Sequence, residues 1–335
     1  MKVLDELDLP ALPTGRVSHT WIRLAEDGFG EPECIPVIVA RGSKEGPTVG
    51  LTAALHGNEL NGIPVLHRLF ERLDCSTLRG NVVGVLAANV PGYHHHRRIF
   101  VEGMDLNHRF PGRPDGNAAE VVTHNLTKRV IRHFDALLDL HTASFGRENC
   151  LYVRANMSEE RTARMAFLQR PQLIVHNPPN DLTLRGAAAE LGIPAITVEI
   201  GDSHRFQERY IKRTLVGVRA VLMELGLIPK RPLASGPPPV MCRSSSWVYT
   251  EGGGLLTVVP RLVETVAEGE IIARRVDIFG KTLAEVRAPR SGVVIGRSTQ
   301  PVARTGSRIL HLGDLALPTD THILGHDRGA KEILH

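Results

Sequence analysis

The chain has 335 residues, of which 42% are hydrophobic and 23% charged, with a formal net charge of +4 at pH 7. That length is too great for one small core and suits two domains, and the fractions are those of an ordinary soluble globular protein. Aromatics at 4% and dispersed arginines argue against the stacking platforms and basic stripes of a nucleic-acid binder, while the slight positive bias favours a small anionic substrate.

No apolar run is long enough to span a bilayer, so no membrane partner is expected. Met1 to Glu6 carries acidic residues where a signal peptide needs an apolar segment, which points to the cytoplasm. Cys34, Cys75, Cys150 and Cys242 lie far apart with no CxxC pair and read as isolated reduced thiols. Homo-oligomerisation is left open.

In chain order, Cys34 to Ala40 reads as a strand, and Pro36 near its start suggests an edge position. Val49 to Leu55 is a second strand, apolar on both faces as buried parallel strands are. Asn61 to Leu73 then shows a helical period through Ile63, Val65, Leu66, Leu69, Phe70 and Leu73, with Pro64 tolerated in the first turn. Val82 to Ala88 is a third strand, Ala118 to Phe134 a helix, and Ala136 to Leu140 a strand that ends at His141. Glu159 to Leu168 reads as a helix, Ala195 to Ile200 as a strand, and Gln207 to Leu225 as a long helix. Strands and helices alternate, so the fold class is α/β, a mostly parallel mixed sheet flanked by helices.

Composition shifts at Pro229-Lys230-Arg231-Pro232 and at Gly236-Pro237-Pro238-Pro239, the best linker. Beyond it, short β-type runs follow with no convincing helix: Leu255 to Val259, Glu270 to Ile278, Ala284 to Ala288, Gly292 to Gly296 and Ile309 to Leu312. Residues 1–235 are thus expected to form the α/β domain and 236–335 a smaller all-β, barrel-like one.

The residues that carry chemistry fall at strand ends, where open α/β sheets bind ligands. His56 and Glu59 follow the Val49 strand, and His141 ends the Ala136 strand. Two imidazoles and one carboxylate are the ligand set of a catalytic zinc site, which leaves a fourth position for water. One Zn2+ per chain is expected, and zinc lowers the pKa of such a water to roughly 7. Asp139 shares a strand face with His141 and is placed to orient its imidazole. Glu199, between apolar residues at another strand end, is the candidate general base and acid. Arg98 or its neighbour Arg97 is placed to stabilise an oxyanion. Asn107, Arg109 and Arg147 are candidates to grip a substrate carboxylate, because the arginine fork is bidentate.

In this order His56-Gly57-Asn58-Glu59, a Leu106-Asn107 segment leading into Phe110-Pro111-Gly112, Asp139-Leu140-His141 and Val198-Glu199-Ile200-Gly201 resemble the succinylglutamate desuccinylase/aspartoacylase family, a branch of the zinc carboxypeptidase fold. The resemblance covers most of Val37 to Leu225 and extends to the β-rich tail. It implies a zinc-dependent amidohydrolase cleaving a non-peptide carbon–nitrogen bond in a small N-acyl amino acid. It also implies metal binding by His56, Glu59 and His141, catalysis by Glu199 and transition-state contact by Arg98. One departure concerns substrate: the family commonly has Asn-Arg before Phe-Pro-Gly, whereas this chain reads Asn107-His108-Arg109. Either Arg109 takes over through a shifted backbone or the carboxylate grip is altered.

Two features compete for attention. His94-His95-His96 invites a metal reading, but neighbouring side chains point apart, and the run reads as loop or pocket wall. The tail resembles the half-barrel of biotinyl and lipoyl carriers with Lys281 near the modified position, yet the flanking residues lack the usual context. The rival readings are a peptidase trimming short peptides and a non-catalytic metal-binding or carrier protein.

Overall fold

In the computed structural model, residues 3–179, 182–232 and 236–324 are described. The first two residues, part of the expected linker (233–235) and the last stretch of the expected second domain (325–335) lie outside them. The elements in chain order are β1 (Val3–Leu4), β2 (Arg16–Glu26), β3 (Pro32–Arg41), β4 (Lys44–Ala53), α1 (Gly62–Glu71), β5 (Arg79–Val85), α2 (Val90–His94), α3 (Ala118–Arg129), β6 (Ala136–His141), β7 (Arg147–Asn149), β8 (Leu151–Ala155) and α4 (Glu160–Leu168). They continue with β9 (Leu173–His176), α5 (Leu184–Glu190), β10 (Ala195–Ile200), α6 (Glu208–Glu224), β11 (Val240–Tyr249), β12 (Gly254–Val258), β13 (Thr265–Val266), β14 (Ile271–Val276), β15 (Thr282–Arg287), β16 (Gly292–Ser298), β17 (Val302–Ala303), β18 (Arg308–Leu315) and α7 (Thr321–Leu324).

A 14-stranded sheet runs β1-β2-β3-β5-β4-β6-β10-β8-β9-β11-β18-β16-β13, with β7 beside β16. Its centre, β5-β4-β6-β10, is parallel throughout. Strands there are buried on both faces: every residue of β6 is buried, because helices cover each side. One layer packs α1, α4 and α6 on Val49, Leu51, Leu138 and Ile196, and the other packs α3 and α5 on Val39, Val83, Val85 and Leu137. Fully burying each such aliphatic side chain stabilises the fold by about 1.5–3 kcal/mol.

The edge position expected for Pro36 is corrected. β3 is an interior strand, flanked by β2 and β5. Its ladder to β5 begins at Val37 opposite Val85, so the missing N–H of Pro36 falls just outside that ladder. The covering strand β2 escapes the periodicity because it alternates polar and apolar residues unevenly and contains a register shift near Arg23.

The sheet does not stop at the expected linker. β11 pairs in parallel with β9 and antiparallel with β18, carrying one sheet from the first part of the chain into the tail. Cys150, Tyr152, Leu173 and Val175 share a buried cluster with Cys242, Val293 and Ile295 across that seam. A separate four-stranded sheet, β15-β14-β12-β17, completes the β-rich end. The tail also holds one helical turn, α7, whose Ile323 joins the main core; four residues are too short to show a helical period. Among the described residues, no helix is long and apolar enough to cross a membrane.

His311 of β18 is 2% exposed, stacks on Trp247 at 4.8 Å and shares a hydrogen bond with Ser245 at 2.9 Å. Burial, with Arg154, Arg308, Arg147 and Arg290 nearby, holds its imidazole well below the ordinary 6.5. Between that depressed value and 6.5 the unfolded chain binds a proton that the folded chain refuses. Stability should therefore fall as pH drops below 6.5, by at most about 1.4 kcal/mol per pH unit from this group. Urea titrations of wild type and His311→Phe should differ in slope against pH in that window. Equal slopes would show that His311 is not the group responsible.

Candidate metal centre and active site

The backbone turns sharply after β4. Ala54 adopts φ 48, a left-handed conformation that costs a non-glycine residue about 1 kcal/mol or more. The turn is held by Ala88 N donating to Ala53 O at 3.0 Å and Asn89 N donating to Ala54 O at 3.1 Å. Gly57 follows, against the backbone of α2: an added Cβ would lie 1.9 Å from Gly92 C, so only glycine lets the two segments pass. The effect is to aim His56 and Glu59 back over the ends of β4 and β6.

Three donor atoms converge there. His56 Nδ1 lies 2.9 Å from Glu59 Oε1, His141 Nδ1 lies 3.0 Å from Glu59 Oε2, and the two Nδ1 atoms are 3.1 Å apart. All three residues are buried and their ligand atoms lie within 4.8 Å of one another. Two imidazole lone pairs at that separation repel unless a cation or proton lies between them.

The opposite ring nitrogens are already committed. His141 Nε2 faces Asp139 Oδ2 at 2.6 Å, and His56 Nε2 faces Asp105 Oδ1 at 3.2 Å. Each carboxylate accepts an Nε2–H and so turns the Nδ1 lone pair inward, the usual support for a metal-binding histidine. Asp139 is itself fixed in a row across three strands. Thr52 of β4 and Thr197 of β10 are its register neighbours, and Thr52 Oγ1 donates to it at 2.5 Å. Two residues on, the same register puts His141 beside Glu199. The donor set, two imidazole nitrogens and a carboxylate oxygen held by further carboxylates, fits a divalent zinc ion.

Burial alone would depress the His141 imidazole, but Asp139 and Glu59 overcome it and raise it well above 6.5. Burial pushes the Glu59 carboxyl up, and His56 and His141 pull it well below 4.5. For Asp105 burial is likewise outweighed by His56 and Arg98, which lower it. Substituting Asn for Asp105 or Asp139 should weaken metal affinity about 10- to 100-fold with the fold retained, as read by competition against a chromophoric chelator. Unchanged affinity in either variant would show that carboxylate to be structural only.

The site opens into a cavity of about 390 Å³. Glu199, the penultimate residue of β10, lines it with a side chain 13% exposed; Asn149 Nδ2 donates to it at 3.4 Å and Arg154 Nε lies 3.9 Å away. Burial raises its carboxyl above the ordinary 4.5, with Glu59 adding and Arg154 and His141 opposing. Arg98 also lines the cavity, donating to Glu59 at 3.0 Å, Asp105 at 2.9 Å and Ser144 Oγ at 2.6 Å. Its neighbour Arg97 is exposed and does not line the cavity.

Of the carboxylate-grip candidates, Asn107 and Arg147 line the cavity. Asn107 Oδ1 accepts from Leu184 N at 2.9 Å, pinning the segment that starts α5. Arg109 is not brought to the site: it is exposed, and it is His108 that lines the cavity. The residues fall in a tight 3-10 turn over Leu106–His108, where each step rotates the side chain by about 120°, so one position decides which side it serves. Of the triad His94 to His96, none lines the cavity, and all three are exposed.

Sequence reasoning missed Asp105, Ser144, Asn149, Arg154, Arg185, Trp247 and Arg308, all on the cavity wall. Asp105 had the only local signal, its place two residues before Asn107 in the Asp105-Leu106-Asn107 segment. Trp247 and Arg308 come from β11 and β18, so the tail supplies part of the wall.

The model of the succinylglutamate desuccinylase/aspartoacylase catalytic domain matches residues 45–225. Over 316 residues the chain is 27% identical to an N-alpha-acetyl-L-2,4-diaminobutyric acid deacetylase of Halomonas elongata, covering 89% of this chain and 92% of that one. It is 29% identical over 220 residues to a succinylglutamate desuccinylase of Pseudomonas aeruginosa, covering 58% of this chain and 64% of that one. Among solved structures, a product-bound ectoine utilization protein from Ruegeria pomeroyi superposes with TM-score 0.82 at 24% identity, covering 91% of this chain and 98% of that one. A succinylglutamate desuccinylase/aspartoacylase from Rhodobacter sphaeroides gives TM-score 0.82 at 22% identity, covering 92% and 98%. At these identities the two structures attest the fold alone. The catalytic-domain match spans β4 to α6 and contains both histidines, Glu59 and Glu199. The chain belongs to the succinylglutamate desuccinylase/aspartoacylase family.

Proposed function

We propose that the protein is a zinc-dependent deacylase that hydrolyses the amide bond of a small N-acyl amino acid. The observation that carries this reading is the convergence of His56 Nδ1, His141 Nδ1 and Glu59, with a carboxylate behind each imidazole. The names of the relatives, a deacetylase and a desuccinylase, support the reaction class. A zinc ion held by His56, Glu59 and His141 would supply Lewis acidity, activating water and polarising an acyl carbonyl.

The chain's own residues do the rest. Glu199, raised by burial, accepts a proton from the attacking water and passes it to the leaving nitrogen. Arg98, fixed by Asp105 and Ser144, keeps a guanidinium beside Glu59 where an oxyanion develops. Arg147 supplies positive charge for a substrate carboxylate, and Asn107 shapes the wall by holding Leu184. In this reading one ion is bound per chain, the enzyme works in the cytoplasm, and its sheet belongs to the zinc carboxypeptidase type. The position of the ligands at the ends of β4 and β6 supports that last assignment.

The test is a panel of N-acetyl and N-succinyl amino acids beside dipeptides and tripeptides, assayed with zinc-loaded and chelator-treated protein. Turnover of acyl amino acids by the loaded form, lost on chelation and restored by zinc, is expected. Turnover confined to peptides, or indifferent to zinc, would overturn the reading.

A further inference from the structure

We infer that the β14–β15 hairpin tip of one copy docks in a pocket beside α3 of a second copy, with Phe279 filling the pocket and Lys281 meeting Glu33. The pocket holds about 600 Å³ and shares no lining residue with the metal-site cavity. β2, α3 and the loop after Arg98 supply its apolar wall, which includes Leu24, Phe100, Val121 and Val122. Asp27 and Glu33 line it too. The arginine beside them, Arg23, is already paired with Asp5 at 2.7 Å and Glu26 at 3.4 Å. Among the described residues, no basic side chain lies within ion-pair distance of Glu33. Burial and the Asp27 charge raise the Glu33 carboxyl above the ordinary 4.5. An apolar pocket with a half-buried, unpaired carboxylate suits an aromatic side chain accompanied by a cation.

Two hairpin tips of this chain share one geometry. Asp27 Oδ1 accepts from Phe29 N at 2.8 Å and Glu31 N at 3.0 Å, and Asp277 Oδ1 accepts from Phe279 N and Lys281 N, both at 2.9 Å. Each tip holds out a phenylalanine that is 93% exposed, and Ile278 beside the second is 77% exposed. An aromatic side chain on a turn already fixed in this way loses little freedom on docking. The tips differ in charge. The first carries Glu31 two residues after its phenylalanine, and the second carries Lys281, exposed and, among the described residues, without an acidic partner. The first tip of a second copy would bring Glu31 toward Asp27 and Glu33, like against like, whereas the second brings the missing cation. Charge therefore selects Phe279 over Phe29 as the occupant. Tip and pocket are different surfaces, so the contact closes as a reciprocal pair or as a ring.

The experiment is sedimentation velocity on the full chain over a wide range of concentration. Wild type should self-associate with a Kd on the order of 10 μM, as suits a small contact. Phe279→Ser, at an exposed position, should raise that Kd by about 30-fold or more. Lys281→Glu and Glu33→Lys should each raise it about 10- to 100-fold. An equimolar mixture of those two variants should associate nearly as wild type does, because every tip then meets a pocket of opposite charge. Carbodiimide coupling gives a readout on wild type alone: in a mixture of light and heavy-isotope chains, an amide between Lys281 and Glu33 should join light chain to heavy. That readout and Lys281→Glu decide the matter if Glu33→Lys does not fold. A chain that stays monomeric throughout overturns the inference, as does association that Phe279→Ser leaves intact. Association lost in Phe29→Ser but kept in Phe279→Ser would give the pocket to Phe29 instead and overturn it as well.

Discussion

Replacing Glu199 by Gln should lower kcat by about 10²- to 10⁴-fold while the protein still binds its metal ion. The two effects separate because Glu199 is not among the converging ligand atoms. It stands next to His141 in the parallel register of β6 and β10, on the same sheet face but one strand over. Gln keeps the length of the side chain and can still accept from Asn149, so the fold and the cavity wall survive. What is lost is the ability to take and return a proton. In wild type, kcat/KM should fall toward acid as Glu199 becomes protonated, and Glu199→Gln should lack that limb. A variant with unaltered kcat and metal content would move the proton-transfer role to another residue.

His141→Ala should abolish activity and cut metal affinity by about 10²- to 10³-fold. Structural zinc sites are worth about 10–16 kcal/mol over four ligands, so one ligand carries about 2.5–4 kcal/mol. The variant also strands Asp139, which is 1% exposed and loses its 2.6 Å partner. Thr52 still donates to Asp139, but breaking a buried charge pair costs about 3–5 kcal/mol, so His141→Ala should destabilise the fold beyond the loss of metal. Adding Asp139→Asn should recover part of that stability but none of the metal affinity, a coupling read by a double-mutant cycle. Wild-type affinity should depend on pH with a definite sign. His141 is raised above 6.5 by Asp139 and Glu59, so the metal-free site holds a proton that the ion must displace. Affinity should therefore rise with pH up to the titration of His141 and flatten beyond it.

The parts of this molecule legible in the sequence are those set by local pattern. β6, β10 and the second halves of β4 and β5 are mostly apolar because they are buried on both faces, and α1 and α6 show a helical period because one face is buried. β8, β9 and β11 escaped notice. β8 and β9 are short, and β11 carries Arg243-Ser244-Ser245-Ser246 in its middle, which no periodicity marks as a strand. Missing β11 is also why a clean boundary was expected where the sheet in fact continues.

The site divides in the same way. His56 and Glu59 are three residues apart and Asp139 and His141 two, so their shared faces follow from strand and turn geometry alone. Asp105 reaches His56 across 49 residues, through a loop whose path depends on packing. Trp247 and Arg308 arrive only because β11 pairs with β9 and carries β18 beside it. The alternation between His108 and Arg109 turned on the phase of a single 3-10 turn, a quantity that residue identity does not reveal.

The most direct test of the central claim is anomalous diffraction at the zinc edge from crystals of the zinc-loaded protein. One ion per chain should appear bonded to Nδ1 of His56, Nδ1 of His141 and the Glu59 carboxylate, at about 2.0–2.2 Å. An ion held elsewhere, at His94 to His96 for example, or a site in which His141 stands beyond bonding distance, would contradict the account.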